Sequence, residues 1–356
     1  MMGILLGGLP LYAYTLADYL RVLFPFLPRA GIAVVALTFF FLINLIGIKF
    51  AGKVQVAMFC ILIVALLTYV FGGIPHINFA YLTPLFPEGM GIGSIAIASG
   101  FLFFAYMGAN YIIDLGAEIK DGGRVIPLSF AISIPTVIVL YTLIGLVAVG
   151  AVSWEVSANQ PLSVSAAKFL PAPLVIFFTV GGGLLAMATT LNATFMFGSR
   201  YILAFADDEI VPKAVGAVSK KYGTPYWGIL IMFLFSLAAL PMGVESLKLL
   251  GMMAAIGSVA LLIPVLIAAF LFPRRMPAVY EKAPFKLKGF WVWLLPCLAI
   301  FCGIFLILAL GVESPRGFAL FVAWMVLGAI YYTARNHYLK VRKGINLTNL
   351  LRKKGM

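Results

Sequence analysis

Apolar runs alternate with short polar or basic segments along the whole chain. Ten such runs cover residues 2–24, 30–48, 54–73, 92–115, 125–152, 172–206, 226–243, 248–272, 289–310 and 316–335. Each is long enough to cross the roughly 30 Å hydrocarbon layer as an α-helix, which takes about 20 residues. Most intervening loops are short, so neighbouring spans run antiparallel. An even number of spans puts both termini on one side. The pattern therefore predicts an all-α polytopic membrane protein with ten transmembrane helices.

Several segments depart from a plain span. An unbroken helix over 172–206 would reach about 52 Å, so it must tilt or protrude beyond the membrane. Gly181, Gly182 and Gly183 form a small-residue face near its outer end, and Thr189, Thr190, Asn192 and Thr194 lie deeper. Those polar groups suit either ion coordination or bonds to helix backbone, and threonine commonly bonds its own helix's carbonyls. Asp18 and Arg21, three apart, suit pairing on one helix face. The fifth span is expected to follow Pro127. Between the fifth and sixth spans, 153–171 is read as an extracellular segment with a short interfacial helix over 161–170 and Trp154 at the interface.

Composition turns this pattern into a class. The chain is 63% hydrophobic and 10% charged, with a mean hydropathy of +1.10, far more apolar surface than a soluble core needs. The net charge of +13 is a topology signal and not a nucleic-acid footprint, because the cations lie between spans and in the tail. Nineteen Lys and Arg fall on one set of loops and the tail, and five on the other, leaving out Arg200 at a span end. That bias places both termini in the cytoplasm of a cell-membrane protein, with residues 336–356 as a basic tail against anionic lipid. No basic segment precedes the first apolar run, so no cleavable signal is expected. Cys60, Cys297 and Cys302 sit inside apolar runs and suggest neither a disulfide framework nor a metal site.

Candidate chemistry concentrates at 94–130. Gly100, Gly108 and Gly116 recur every eight residues, with Phe101, Phe103, Phe104 and Tyr106 beside Gly108, then Asn110 and Asp114. A helix opened at Gly108 must line a cavity or be buried in protein, because lipid cannot satisfy free N–H and C=O groups. Aromatics, glycine and an amide at mid-depth suit a small polar substrate. The plainer alternative is a packing helix whose glycines admit neighbours. No mid-membrane cluster of Asp, Glu or His supports an intramembrane enzyme, and no filter-like repeat supports a channel.

The stretch FFAYMGANYIIDLGAEIKDGGRVIP resembles the sixth helix and following loop of the amino acid–polyamine–organocation permeases, through Phe103, Phe104, Tyr106, Gly108, Glu118, Lys120, Arg124 and Pro127. SRYILAFADDEIVPKAVGAVSKKYGTP resembles that family's loop after the eighth helix, through Ser199, Arg200, Asp207, Pro212, Gly223, Thr224 and Pro225. NLIGIKFAGKVQ is similar to its turn between helices four and five. Ala109 and Asn110 stand where the family often has a large aromatic and an acid. The resemblance implies a leucine-transporter-like inverted-repeat bundle. Residues 2–73 would be a three-helix remnant of the first repeat, 92–273 the second five-helix repeat, and 289–335 two appended helices. It also implies that the family's first two helices are absent from this chain.

The function so implied is secondary transport of amino acids or related organic cations by alternating access. Phe103, Phe104, Tyr106, Gly108, Ala109 and Asn110 would bind substrate. Thr189, Thr190 and Asn192 are candidates for coupling to H+ or Na+, and no other cofactor or metal is implied. The alternative is a truncated or split-gene subunit that transports poorly alone and needs a separate chain to supply the missing pair of helices.

Overall fold

The computed structural model describes residues 8–83, 91, 95, 98–99, 102, 106, 108–158 and 160–354. Among them every regular element is helical. Leaving the shortest turns aside, in chain order these are α1 (Leu9–Leu23), α2 (Arg29–Ile46), α3 (Ile48–Gly73), a 3-10 helix (Ala109–Glu118) and α4 (Gly122–Gly150). They continue with α5 (Ala172–Asp207), α6 (Tyr226–Ala239), α7 (Val244–Arg275), α8 (Trp291–Glu313), α9 (Pro315–Lys343) and α10 (Leu347–Lys354). Seven of the described helices are long and apolar enough to cross a membrane: α2, α3, α4, α5, α7, α8 and α9. Helix α1 has 15 residues, the apolar segment Tyr226–Met242 is also short, and nearly half of the 92–115 span lies outside the described residues. Large apolar side chains stand exposed along these helices, such as Phe301 and Ile330. Such outward faces suit lipid and not water.

The chain divides into two compact units. One comprises 12–40 and 49–193. Its core gathers Tyr69 and Val70 of α3, Leu140, Ile144 and Val147 of α4, and Phe178 of α5. Tyr69 stacks on Phe178 at 4.7 Å and meets Phe169 edge-on at 5.2 Å. Ser165 donates its one hydroxyl hydrogen to the Leu162 carbonyl at 2.8 Å. Tyr69 is therefore the donor in its 2.7 Å bond to Ser165. Ser165 lies in the helix Leu162–Ala166, shorter than the expected 161–170, and is buried.

Helix α5 carries the glycine triplet in a π-helical segment, Thr179–Leu184. The long run thus stays helical but widens at its small residues, a local adjustment typical of π-bulges. Each glycine admits a different neighbour. A Cβ on Gly181 would lie 2.9 Å from Ala65 of α3, one on Gly182 2.9 Å from the Phe178 ring, and one on Gly183 2.3 Å from the Tyr19 ring of α1.

Two expectations in this unit need correction. Asp18 pairs with Arg29 across the turn from α1 to α2, whereas spacing along the helix suggested Arg21. Helix α4 begins at Gly122, so Pro127 lies inside it. Proline there removes only the bond to the Gly123 carbonyl, and Gly123 is exposed, so water can replace that bond.

The other unit comprises 1–11, 41–48 and 194–356. Its core joins Ala255 and Ile256 of α7 to Leu310 of α8, with Phe318 and Phe321 of α9 packed against them. Phe41 stacks on Phe233 at 4.4 Å. Helix α9 does not stop at Arg335, where the apolar run ends, but continues to Lys343. Gly344, at φ 66°, then caps it in the left-handed conformation. The chain folds back into α10, with Leu339 and Leu347 both fully buried and the Leu347 N–H donating to Asn336 Oδ1 at 2.8 Å. Residues 336–354 of the predicted tail therefore belong to a helical hairpin.

Candidate functional site

The site begins at Gly108. The described positions Ile95, Ala98, Ser99, Leu102 and Tyr106 are helical. Gly108 then takes φ 141° and ψ −36°, a conformation open to glycine at little cost. The Tyr111 N–H donates to the Gly108 carbonyl at 3.0 Å, and Ala109–Glu118 winds as a 3-10 helix. Runs of 3-10 helix beyond three or four residues are uncommon, and inside a longer helix they often mark a functional hinge. No described atom lies within 4 Å of where a Gly108 Cβ would sit. The opening is thus a break in α-helical bonding. Tyr106, half-buried, sets its ring 5.3 Å from that of Tyr141 on α4. Ala109 is half-buried and Asn110 lies within the 3-10 turn. Phe103, Phe104 and the Asn110 side chain lie outside the described residues.

The polar residues of α5 make bonds of their own. Thr189 and Thr190 both donate to the Ala186 carbonyl, at 2.9 and 2.8 Å. Asn192, fully buried, donates to the Ala51 carbonyl at 3.0 Å and to Gln55 Oε1 at 2.9 Å, tying α5 to α3.

Among the loop-motif residues, Glu118, Lys120 and Arg124 are exposed around Asp121, itself at φ 51°. Arg200 donates to the Met196 carbonyl at 2.8 Å and to Ser199 Oγ at 2.9 Å. Asp207 is exposed, and Pro212 opens the 3-10 turn Lys213–Gly216.

The residue missed by sequence reasoning is Glu209. It is buried, with a positive φ of 61° unusual outside glycine. Its carboxylate meets Lys213 at 2.8 Å and Lys343 at 3.5 Å. Its carbonyl accepts from Arg335 Nε at 3.0 Å, and the next carbonyl, of Ile210, accepts from the Tyr331 hydroxyl at 2.9 Å. The hydrogen bond from Lys213 is the main cause holding the Glu209 carboxyl below the usual carboxylate range. Burial opposes this, while the charges of Lys213 and Lys343 add to it. The Lys213 ammonium is correspondingly raised, first by its bond to Glu209. Only the Glu209–Lys213 spacing of four was visible in sequence.

Comparison with known proteins follows the same residues. Positions 3–346 match the family described as amino acid permease. The branched-chain amino acid permease BcaP of Bacillus subtilis is 25% identical over 309 residues, 85% of this chain and 62% of that protein. The methylthioribose transporter of the same organism is 22% identical over 296 residues, 82% of this chain and 62% of that protein. BcaP of Lactococcus lactis subsp. cremoris is 25% identical over 305 residues, 83% and 63% of the two chains. The chain thus spans somewhat over three-fifths of the length of these relatives.

Proposed function

Since the chain belongs to the amino acid permease family, we propose that it carries a substrate wall of a secondary transporter that moves amino acids across the cell membrane by alternating access. The observation that supports this most is the helix break at Gly108. Backbone that leaves α-helical geometry at membrane depth must be buried in protein or line a cavity, and in secondary transporters such discontinuous helices stand at the substrate site. Phe103, Phe104 and Tyr106 would close over the substrate's side chain, with Ala109 and Asn110 completing the wall. Two of the relatives carry branched-chain amino acids in their names, and an aromatic lid suits an aliphatic side chain, worth about 2 kcal/mol when buried. In this reading Asn192 acts as a tie between α5 and α3, and Thr189 and Thr190 bond the backbone of their own helix. Ten spans with both termini in the cytoplasm remain the topology that the basic loops favour.

A second reading is favoured by the chain's spanning only about three-fifths of those relatives: transport needs a further pair of helices supplied with this chain. One experiment tests both. Uptake of labelled leucine, isoleucine and valine is measured in proteoliposomes, under a H+ or a Na+ gradient, with this chain alone and with the first two helices of the Bacillus relative fused ahead of it. Saturable uptake abolished by Gly108→Leu supports the proposal, and the arm in which it appears separates the two readings. Folded, monodisperse protein that moves no amino acid in either arm overturns both.

A further inference from the structure

We propose that the turn between α7 and α8 holds an anionic phospholipid, with an acyl chain in an apolar cleft and the phosphate on a basic rim. The cleft is about 420 Å³, within the range of small-ligand sites. Val265, Ala268, Ala269 and Phe272 of α7 form one wall, and Val292 and Pro296 of α8 the other. The two alanines leave the space that larger residues would fill. Val265 is 59% exposed, so the cleft lies on an outward face and not in a sealed core.

The polar groups gather at one end. The Tyr280 hydroxyl donates to the Leu287 carbonyl and the Lys286 ammonium to the Glu281 carbonyl, pinning the loop that closes this end. Lys286 lines the cleft itself. Arg275, Lys282 and Lys288 stand exposed in the same connecting segment, which carries one acid, Glu281. Arg274 lies 4.0 Å over the Trp293 ring, and Trp291 follows at the helix start. Trp and Arg at this position mark the level of lipid headgroups. The basic-loop bias places that level in the cytoplasmic leaflet, where anionic lipids attract such cations.

Charge complementarity selects this occupant. A free amino acid would find almost no acceptor for its ammonium in an apolar cleft. A small anion would use the rim and leave the cleft empty. A neutral phospholipid would fill the cleft and gain little from the cations. Only a ligand with an apolar chain and a negative head uses both parts.

The test is native mass spectrometry of the delipidated protein titrated with phosphatidylglycerol or phosphatidylcholine of matched chains. Phosphatidylglycerol should bind more tightly by on the order of five-fold for each cation that reaches the phosphate. The triple variant R275Q/K286Q/K288Q should bring its affinity to that of phosphatidylcholine. A268F/A269F, which fills the cleft, should weaken both lipids, and glycerol phosphate without chains should not compete. Equal affinity for the two lipids in the unaltered protein overturns the proposal. So does competition by glycerol phosphate, which would reduce the site to an anion rim. Should the cleft-filling variant fail to fold, the double variant R275Q/K288Q at exposed positions still decides the question by narrowing the gap between the two lipids.

Discussion

The close approach of α1 to α5 makes a prediction whose sign can be reversed. At Gly183, the three atoms nearest a new Cβ all belong to the Tyr19 ring, at 2.3, 2.4 and 2.9 Å. Ordinary contact begins near 3.4 Å, so Gly183→Ala forces the ring or the helix to move by about an ångström. Overpacking of this kind costs about 1–3 kcal/mol, and a large ring packed between helices puts it at the upper end. Against this, alanine in a helix is favoured over glycine by about 1 kcal/mol. The net expectation is destabilisation of roughly 1–2 kcal/mol. In a Tyr19→Ala background the clash is gone and the helical gain remains, so Gly183→Ala should then stabilise by up to about 1 kcal/mol. The assay is equilibrium unfolding in mixed micelles of increasing denaturing-detergent fraction, run on all four proteins of the cycle. A coupling energy near zero, or Gly183→Ala stabilising equally in both backgrounds, would refute the close packing of these two helices.

The remaining predictions use the same unfolding assay unless stated. Tyr69→Phe removes a donor whose partner Ser165 keeps its own bond to Leu162, so the loss should be about 1 kcal/mol. Asn192→Leu breaks two bonds between α5 and α3 and should cost about 1–2 kcal/mol, since inter-helical bonds in membranes average near 0.6 kcal/mol; unchanged stability would remove its role as a tie. Glu209→Gln should cost about 1–2 kcal/mol at neutral pH, as Lys213 and Lys343 can still turn to water. Because the folded carboxyl is lowered, this contribution is complete above the unfolded value near 4.3 and is lost as pH falls through the folded one. The gap between wild type and variant should therefore close only in that acid range. For orientation, cysteines are best placed at exposed Glu155 and Lys220. An impermeant maleimide applied outside should label the first and spare the second, and the reverse would overturn the assigned sidedness.

The alternation of apolar and polar segments located the helices well, because lipid forces backbone groups to bond within the segment. It was weaker on where helices end. Arg335 marks where the chain leaves hydrocarbon, yet α9 goes on to Lys343, because hydrogen bonding does not stop at the membrane surface. The glycine at 108 was legible as a break, since a positive φ there favours glycine. Its substrate role rests on resemblance and not on geometry. Long-range pairs were invisible. Spacing along α1 offered Arg21 to Asp18, whereas the turn delivers Arg29. Nothing in sequence joins Glu209 to residues beyond position 330. The π-helical stretch was hidden as well, because a glycine triplet shows that neighbours can approach but not which ones do.

That late partnership of Glu209 has a consequence for biosynthesis. Arg335, which holds its carbonyl, lies 126 residues downstream, and Lys343 follows. At about 5–20 residues per second, the ribosome needs roughly 6–25 s to deliver Arg335 after Glu209 is made. Until then the acid has only Lys213, and the loop after α5 lacks the bonds that Arg335 and Tyr331 make to its carbonyls. The nascent chain thus keeps this loop open to chaperones and proteases until α9 arrives. Losing α9 would therefore expose a recognition point for quality control more than a hundred residues upstream of the damage.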